Sequence, residues 1–197
     1  MRNICAGASR ICVMLDVRPL RLEGVFEIRP PRFEDQRGFF SEVWSAEQMA
    51  EAGFDVDFVQ DNHSSSVAKG VLRGLHFQVP PAAQHKLIRV SRGSVFDVAV
   101  DIRRDSATFG QWVGTILSAD HWNQLLVPPG FAHGFLTLEE QTDVQYKVSA
   151  PYRPDLDCAI RFDDPAIGIE WPIAADQIVL SDKDRAAPLL SAAETGF

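Results

Sequence analysis

The sequence has no paired-cysteine pattern, no long apolar run, no surplus of positive charge and little helical periodicity. Its three cysteines, Cys5, Cys12 and Cys158, are odd in number and lack Cys-x-x-Cys spacing. That argues against a disulfide framework or a thiolate zinc site and fits a reducing cytoplasm. Nineteen Lys and Arg against 27 Asp and Glu leave a net charge of −8, the wrong sign for nonspecific binding to nucleic acid or an anionic membrane. The apolar stretch at the start is interrupted by Arg10, so it falls short of a signal-peptide core and far short of a membrane span. Residues 1–20 are expected to be a frayed extension, with Met14 as an alternative start. Residues 21–197 are expected to form a single domain, since domains average roughly 150 residues.

What is present is a chain with 46% hydrophobic and 23% charged residues, a balance that allows a full core. In Val95–Ile102, Phe96, Val98, Val100 and Ile102 share one face while Asp97 and Asp101 take the other, which is strand alternation. Similar runs recur at 25–29, 39–44, 56–60, 71–77, 86–90, 112–117, 124–127, 134–138 and 142–148, with turn signals such as Arg92-Gly93-Ser94 and Pro128-Pro129-Gly130 between them. Helix is predicted twice: after Ser45, over 46–52 with Gly53 as its stop, and after Ser181, over 182–185. About ten strands and a few short helices predict an all-β jelly-roll barrel of the cupin type.

Two segments carry the chemistry, Arg73-Gly74-Leu75-His76-Phe77-Gln78 and Pro128-Pro129-Gly130-Phe131-Ala132-His133-Gly134-Phe135. The second has the Pro-x-Gly-x-x-His form that resembles the second cupin motif, whose His faces the barrel interior. A metal-binding cupin adds His-x-His and a Glu from its first motif, but here Gln78 follows His76-Phe77 and no Glu comes soon after. Two histidines make a poor cage, so His76 is read as free for proton chemistry. A metal-dependent cupin oxygenase is the disfavoured alternative.

Longer segments carry a closer resemblance. They are Asp35-Gln36-Arg37-Gly38-Phe39-Phe40, Phe58-Val59-Gln60-Asp61-Asn62-His63-Ser64, Gly70 to His76, Phe96 to Arg103, Gly130 to Phe135, Tyr146-Lys147, Gly168-Ile169-Glu170-Trp171-Pro172 and Leu180-Ser181-Asp182-Lys183-Asp184. In this order, over residues 24–185, the chain resembles the dTDP-4-dehydrorhamnose 3,5-epimerase family. The resemblance implies a homodimeric, metal-independent and cofactor-free enzyme acting on a dTDP-4-keto-6-deoxy-sugar. An enzyme that inverts only carbon 3 or only carbon 5 is the near alternative. A noncatalytic carbohydrate-binding module would need no base.

The family's base matches His76, an imidazole being the side chain that titrates nearest neutral pH. Its orienting carboxylate matches Asp184, and its acid matches Tyr146, one of two tyrosines in the chain. Lys86 matches the lysine near the ketone oxygen, with His85 before it where the family has Gly. Gln60, Asn62, Arg73 and His133 match contacts to sugar and nucleotide, and Arg37 and Glu42 match residues of the nucleotide site. Eight of the ten have a plainer reading: a satisfied core histidine at 76 or 133, a solvated helix-start carboxylate at 184, a packed tyrosine at 146, a surface lysine at 86, edge amides at 60 and 62, and a turn arginine at 37. His63 and His121 read as turn and surface residues. Arg73 and His76 are three apart, which puts them on opposite faces of a regular strand; if both reach one ligand, a bulge at Gly74 is required.

Overall fold

The computed structural model describes residues 15–197. Along them run β1 Asp16–Pro19, β2 Phe26–Arg29, β3 Phe33–Asp35, β4 Gly38–Phe40, α1 Ala46–Glu51, β5 Gln60–Ser66, β6 Leu72–Gln78, β7 Lys86–Arg92, β8 Ser94–Asp101, β9 Trp112–Ser118, β10 Gln124–Val127, β11 Phe131–Thr137, β12 Thr142–Val148, β13 Asp157–Ala159 and α2 Asp182–Arg185. One sheet has the order β1-β2-β10-β7-β12-β5, the other β13-β6-β11-β8-β9, and β3–β4 is a separate hairpin. The two sheets face each other as the predicted jelly roll. None of the helices among the described residues is long and apolar enough to cross a membrane.

Strand alternation sorts the side chains into layers. Ile88, Val90, Leu125, Val127 and Val144 of the six-stranded sheet meet Val95, Ala99, Leu117, Phe131 and Phe135 of the five-stranded sheet in one buried cluster between them. The other face of the five-stranded sheet, with Phe77, Val98, Val100 and Ala132, is covered by Ile160, Ile167, Leu190 and Ala193 from the C-terminal segment. The other face of the six-stranded sheet, with Ile28, Leu87 and Leu126, lies under Met49 of α1 and under Trp44, Phe54 and Phe58. Covering on both faces explains why β11 is buried at every position. It also turns the Asp97 row of β8 toward the space between the sheets, since Val95 and Ala99 on that row belong to the inner cluster.

The expected strand positions need correcting at several places, among them β3, which no expected run covers. Residues 16–19, placed in the frayed extension, form β1 and pair with β2 from Asp16↔Arg29 to Pro19↔Phe26; Met14, Cys5, Cys12 and the rest of that extension lie outside the described residues. The run at 39–44 stops as strand at Phe40, and the chain beyond it crosses the sheet as cover. The run at 56–60 is irregular and the strand begins at Gln60. Its sequence QDNHSSS has poor intrinsic strand propensity, and seven consecutive pairings with β12 hold it in place. Strand β13 lacked an apolar run to announce it. Both helices stand where expected, Ser45 accepting from Gln48 N at 3.4 Å and Ser181 from Asp184 N at 3.1 Å.

Candidate active site

A cavity of about 440 Å³ opens between the sheets, and Arg73, His76, Lys86, His133, Tyr146 and Asp184 are all on its wall. Six of the expected site residues therefore converge. Arg73 and His76 do so because β6 carries the required bulge: His76 pairs with His133 and Arg73 with Phe135, three steps on one strand against two on the other. Gly74, at φ +133°, makes this possible. A Cβ there would lie 2.5 Å from the Gly134 Cα, and one on Gly134 would lie 2.9 Å from the Arg73 carbonyl oxygen. The two glycines let the strands touch backbone to backbone.

His76 Nε2 meets Asp184 Oδ1 at 2.5 Å, although the two are 108 positions apart in the chain. Helix α2, capped by Ser181, brings the carboxylate over β6. Burial alone would push the Asp184 pKa up; hydrogen bonding and charge from His76, with the Ser181 hydroxyl and the Gly74 backbone, outweigh it and hold the group below the usual carboxylate range. A second pair lies beside the first: His133 Nε2 meets Asp97 Oδ1 at 2.8 Å, and both residues are buried.

The opposite wall belongs to the six-stranded sheet. Tyr146 stands on β12 between Asn62 of β5 and Ile88 of β7. Desolvation raises its pKa, with Arg73 opposing and Asp157 adding to the rise, so the phenol keeps its proton. Lys86, on β7, donates from Nζ to the His76 carbonyl oxygen at 3.1 Å. Desolvation lowers its pKa to about 8, against the attraction of Asp157 and Asp97. The arrangement is an imidazole on one sheet, a phenol on the facing sheet and an ammonium between them.

The family profile described as dTDP-4-dehydrorhamnose 3,5-epimerase matches residues 19–192. A dTDP-4-dehydrorhamnose 3,5-epimerase of Salmonella typhimurium is 51% identical over 181 residues, 91% of this chain and 98% of the relative. One of Sinorhizobium fredii is 50% identical over 170 residues, 86% and 87% of the two chains. The chain belongs to the dTDP-4-dehydrorhamnose 3,5-epimerase family. Among solved structures, the dTDP-6-deoxy-D-glucose-3,5-epimerase of Legionella pneumophila, determined with dTDP-4-keto-L-rhamnose, superimposes with a TM-score of 0.87 at 45% identity, covering 91% of this chain and 95% of that one.

Within this epimerase chain four expected residues stand off the cavity wall. Arg37 is exposed on the β3–β4 turn and held by Asp35. Glu42 accepts from Gln48 Nε2 at 2.7 Å. Gln60 and Asn62 do share a face of β5, but the Gln60 amide donates to Asn62 Oδ1 at 2.8 Å and accepts from Tyr152 N at 3.0 Å. His85, where the family has Gly, is tied to Ser149 through His85 N to Ser149 Oγ and Ser149 N to His85 O, and Lys86 still reaches the cavity. Gln78 donates to the Ala82 and Pro151 carbonyls and accepts from Arg153 N, so its amide clips two loops together. Among the described residues no three His, Cys, Asp or Glu side chains converge as metal ligands would. His63 and His121 are exposed.

Sequence reasoning missed three participants. Asp97 was legible only as the polar row of β8. Lys183, in the sequence only one member of the Leu180–Asp184 segment, is on the cavity wall and forms an ion pair with Asp157. The Tyr152 hydroxyl donates to the same Asp157 carboxylate at 3.0 Å. Only the place of Lys183 on the cavity wall, and its ion pair with Asp157, mark the two as neighbours of the site.

Proposed function

We propose that the chain inverts carbons 3 and 5 of dTDP-4-keto-6-deoxy-D-glucose to give dTDP-4-keto-L-rhamnose. Both carbons flank the carbon 4 ketone, so loss of either proton gives an enolate on the same oxygen and one site can serve both. His76 takes the proton. With Nε2 engaged by Asp184, its other ring nitrogen is the accepting one, and the carboxylate stabilises the imidazolium. The Lys86 ammonium offsets the charge that develops on the ketone oxygen. Tyr146 returns a proton to the opposite face of the carbon and recovers its own from solvent while His76 releases the abstracted proton to solvent, so protons balance without any cofactor. The observation that carries this reading is the origin of the two groups: base and acid belong to facing sheets of one cavity, which is what inversion demands.

Arg73 and His133, on the wall, are assigned to substrate contact, and Gln60 and Asn62 to shaping the nucleotide end through Tyr152. The working unit is assigned as a homodimer. Phe33, Phe39 and Phe40 on the β3–β4 hairpin are exposed, Phe40 by 69%, an apolar surface that a second copy would cover. The hairpin also carries Arg37, whose guanidinium suits bidentate contact with a pyrophosphate in the partner's site, with Glu42 nearby in the chain. The acidic net charge supports a small-molecule partner rather than nucleic acid or membrane, and cysteines few and odd in number fit a reducing cytoplasm.

The test is to incubate the protein with dTDP-4-keto-6-deoxy-glucose in heavy water and follow carbons 3 and 5 by NMR. Deuterium at both, with inverted product, is expected. Exchange at one centre alone would replace the reading with a single-centre epimerase, and exchange at neither would reject it.

A further inference from the structure

Strand β5 alternates strictly, with Asp61, His63 and Ser65 exposed and Gln60, Asn62, Ser64 and Ser66 turned in. The inward amides of Gln60 and Asn62 satisfy each other. Ser64 differs. Its Oγ is shut off from solvent and has no hydrogen-bond partner among the described residues. Buried hydroxyls nearly always have a partner, and an unpaired one costs stability, so each exception needs a reason.

The reason lies in where Ser64 stands. It is on the wall of the reaction cavity, and in the ladder with β12 it pairs with Val144, one inward position from the Asn62–Tyr146 pair. Diagonal neighbours at that spacing can reach a common third group. Apart from the Tyr146 hydroxyl, which the reaction itself uses, the other polar side chains of the wall are engaged: His76 with Asp184, His133 with Asp97, Lys86 with the His76 carbonyl, Lys183 with Asp157, Arg73 with the Ser65 carbonyl and Ser181 with Asp184 N. A serine hydroxyl both donates and accepts, which matches a sugar hydroxyl better than a phosphate oxygen. The cationic Lys183 is half exposed to solvent, the kind of group that suits a diphosphate, while Ser64 stands on β5 beside the strand that carries Tyr146.

We propose that Ser64 is a substrate-binding residue, its hydroxyl turning about χ1 from its enclosed position to hydrogen-bond an oxygen substituent of the hexose on the Tyr146 side. This rests on the epimerase reading above and adds a specificity contact to it. The contact fixes the ring between His76 and Tyr146, while the chain alone carries the cost of the unpaired hydroxyl.

Ser64→Ala separates this from a structural role. A serine that supports the fold would lower stability when cut; a substrate contact leaves the free protein as stable as wild type, or slightly more so. The expected results are an unchanged or raised melting temperature, an unchanged affinity for dTDP alone, and kcat/KM for the keto-sugar nucleotide about tenfold lower. A kcat/KM within about twofold of wild type overturns the proposal, as does a loss of dTDP affinity that parallels the loss of turnover, since the whole wall would then have moved. Ser64→Cys, which keeps the volume with a weaker donor, is expected to fall between; an alanine variant that melts early while the cysteine variant keeps full activity also overturns it. Wild type run alongside keeps the two readings apart: if it fails to turn over, the epimerase reading falls and not the assignment of Ser64 alone.

Discussion

The two His–Asp pairs stand side by side, His76 opposite His133 in the β6–β11 ladder, yet they are built differently. Asp97 reaches His133 from β8, the adjacent strand of the same sheet, whereas Asp184 reaches His76 from a C-terminal helix packed over the barrel. The His76 side chain is 31% exposed to the cavity, the His133 side chain only 8%. Identical side chains at similar distances therefore have different reach. A pair open to the cavity is placed to exchange a proton with a substrate; the more buried pair, held within one sheet, is suited to contact rather than to proton exchange.

The largest expected difference between them is in proton abstraction. His76→Ala is expected to slow deuterium exchange at both carbons by about 100-fold to 10,000-fold while dTDP binding stays nearly intact. His133→Ala is expected to weaken substrate binding and leave exchange measurable. NMR in heavy water reads both variants, and the opposite ranking breaks the comparison. Tyr146→Phe sharpens it from the facing sheet. Exchange is expected to persist, because His76 still takes and returns protons on its own side, while inverted product falls by about 100-fold or more. Inversion at the wild-type rate would return Tyr146 to a packing role.

The carboxylates come next. Asp184→Asn is expected to slow exchange by roughly 10-fold to 100-fold, less than loss of the base itself. Asp97→Asn is expected to act on stability instead, by roughly 1–3 kcal/mol in denaturant unfolding, because one side of a buried hydrogen-bonded pair is altered. The two also differ with acid. The Asp184 pKa is depressed in the folded chain, so its contribution to stability is full above the unfolded carboxylate value and is lost as pH falls through the lower folded value. Asp184→Asn is expected to flatten that part of an acid-unfolding curve.

Much of the inner layer was legible before any coordinates. The apolar row of β8 and the recurring short runs point to the jelly roll, and the three-residue spacing of Arg73 and His76, if both reach one ligand, calls for the bulge that β6 contains. What sequence periodicity cannot supply is tertiary pairing. Nothing local to Asp184 announces a partner 108 residues away, and it entered only through family resemblance. Strand β5 was misplaced because its polar residues lack strand propensity and depend on β12 for their conformation. Asp97 was hidden for the opposite reason, since a polar row on a strand reads as solvent-facing unless both faces of the sheet are known to be covered.

Lys86 tests whether the two pairs are as separate as their burial suggests. Its ammonium is bonded to the His76 carbonyl and drawn upward in pKa by the charge of Asp97, so it is coupled to both, and desolvation lowers its pKa to about 8. The charged form is the one that stabilises an enolate, so activity is expected to fall as pH rises through that value, by about tenfold between pH 7 and 9 for a single titrating group. Lys86→Arg is expected to remove this alkaline limb whatever it does to the rate, because a guanidinium keeps its charge. Asp97→Asn removes a negative charge that favours the ammonium, and the limb is expected to move to lower pH. The shift should be the smallest effect in the series, and kcat/KM profiles of the two variants beside wild type would measure it. An unmoved limb in Asp97→Asn would leave the sealed pair with a purely structural role. A limb that survives in Lys86→Arg would assign it to another group and remove Lys86 from the ketone oxygen.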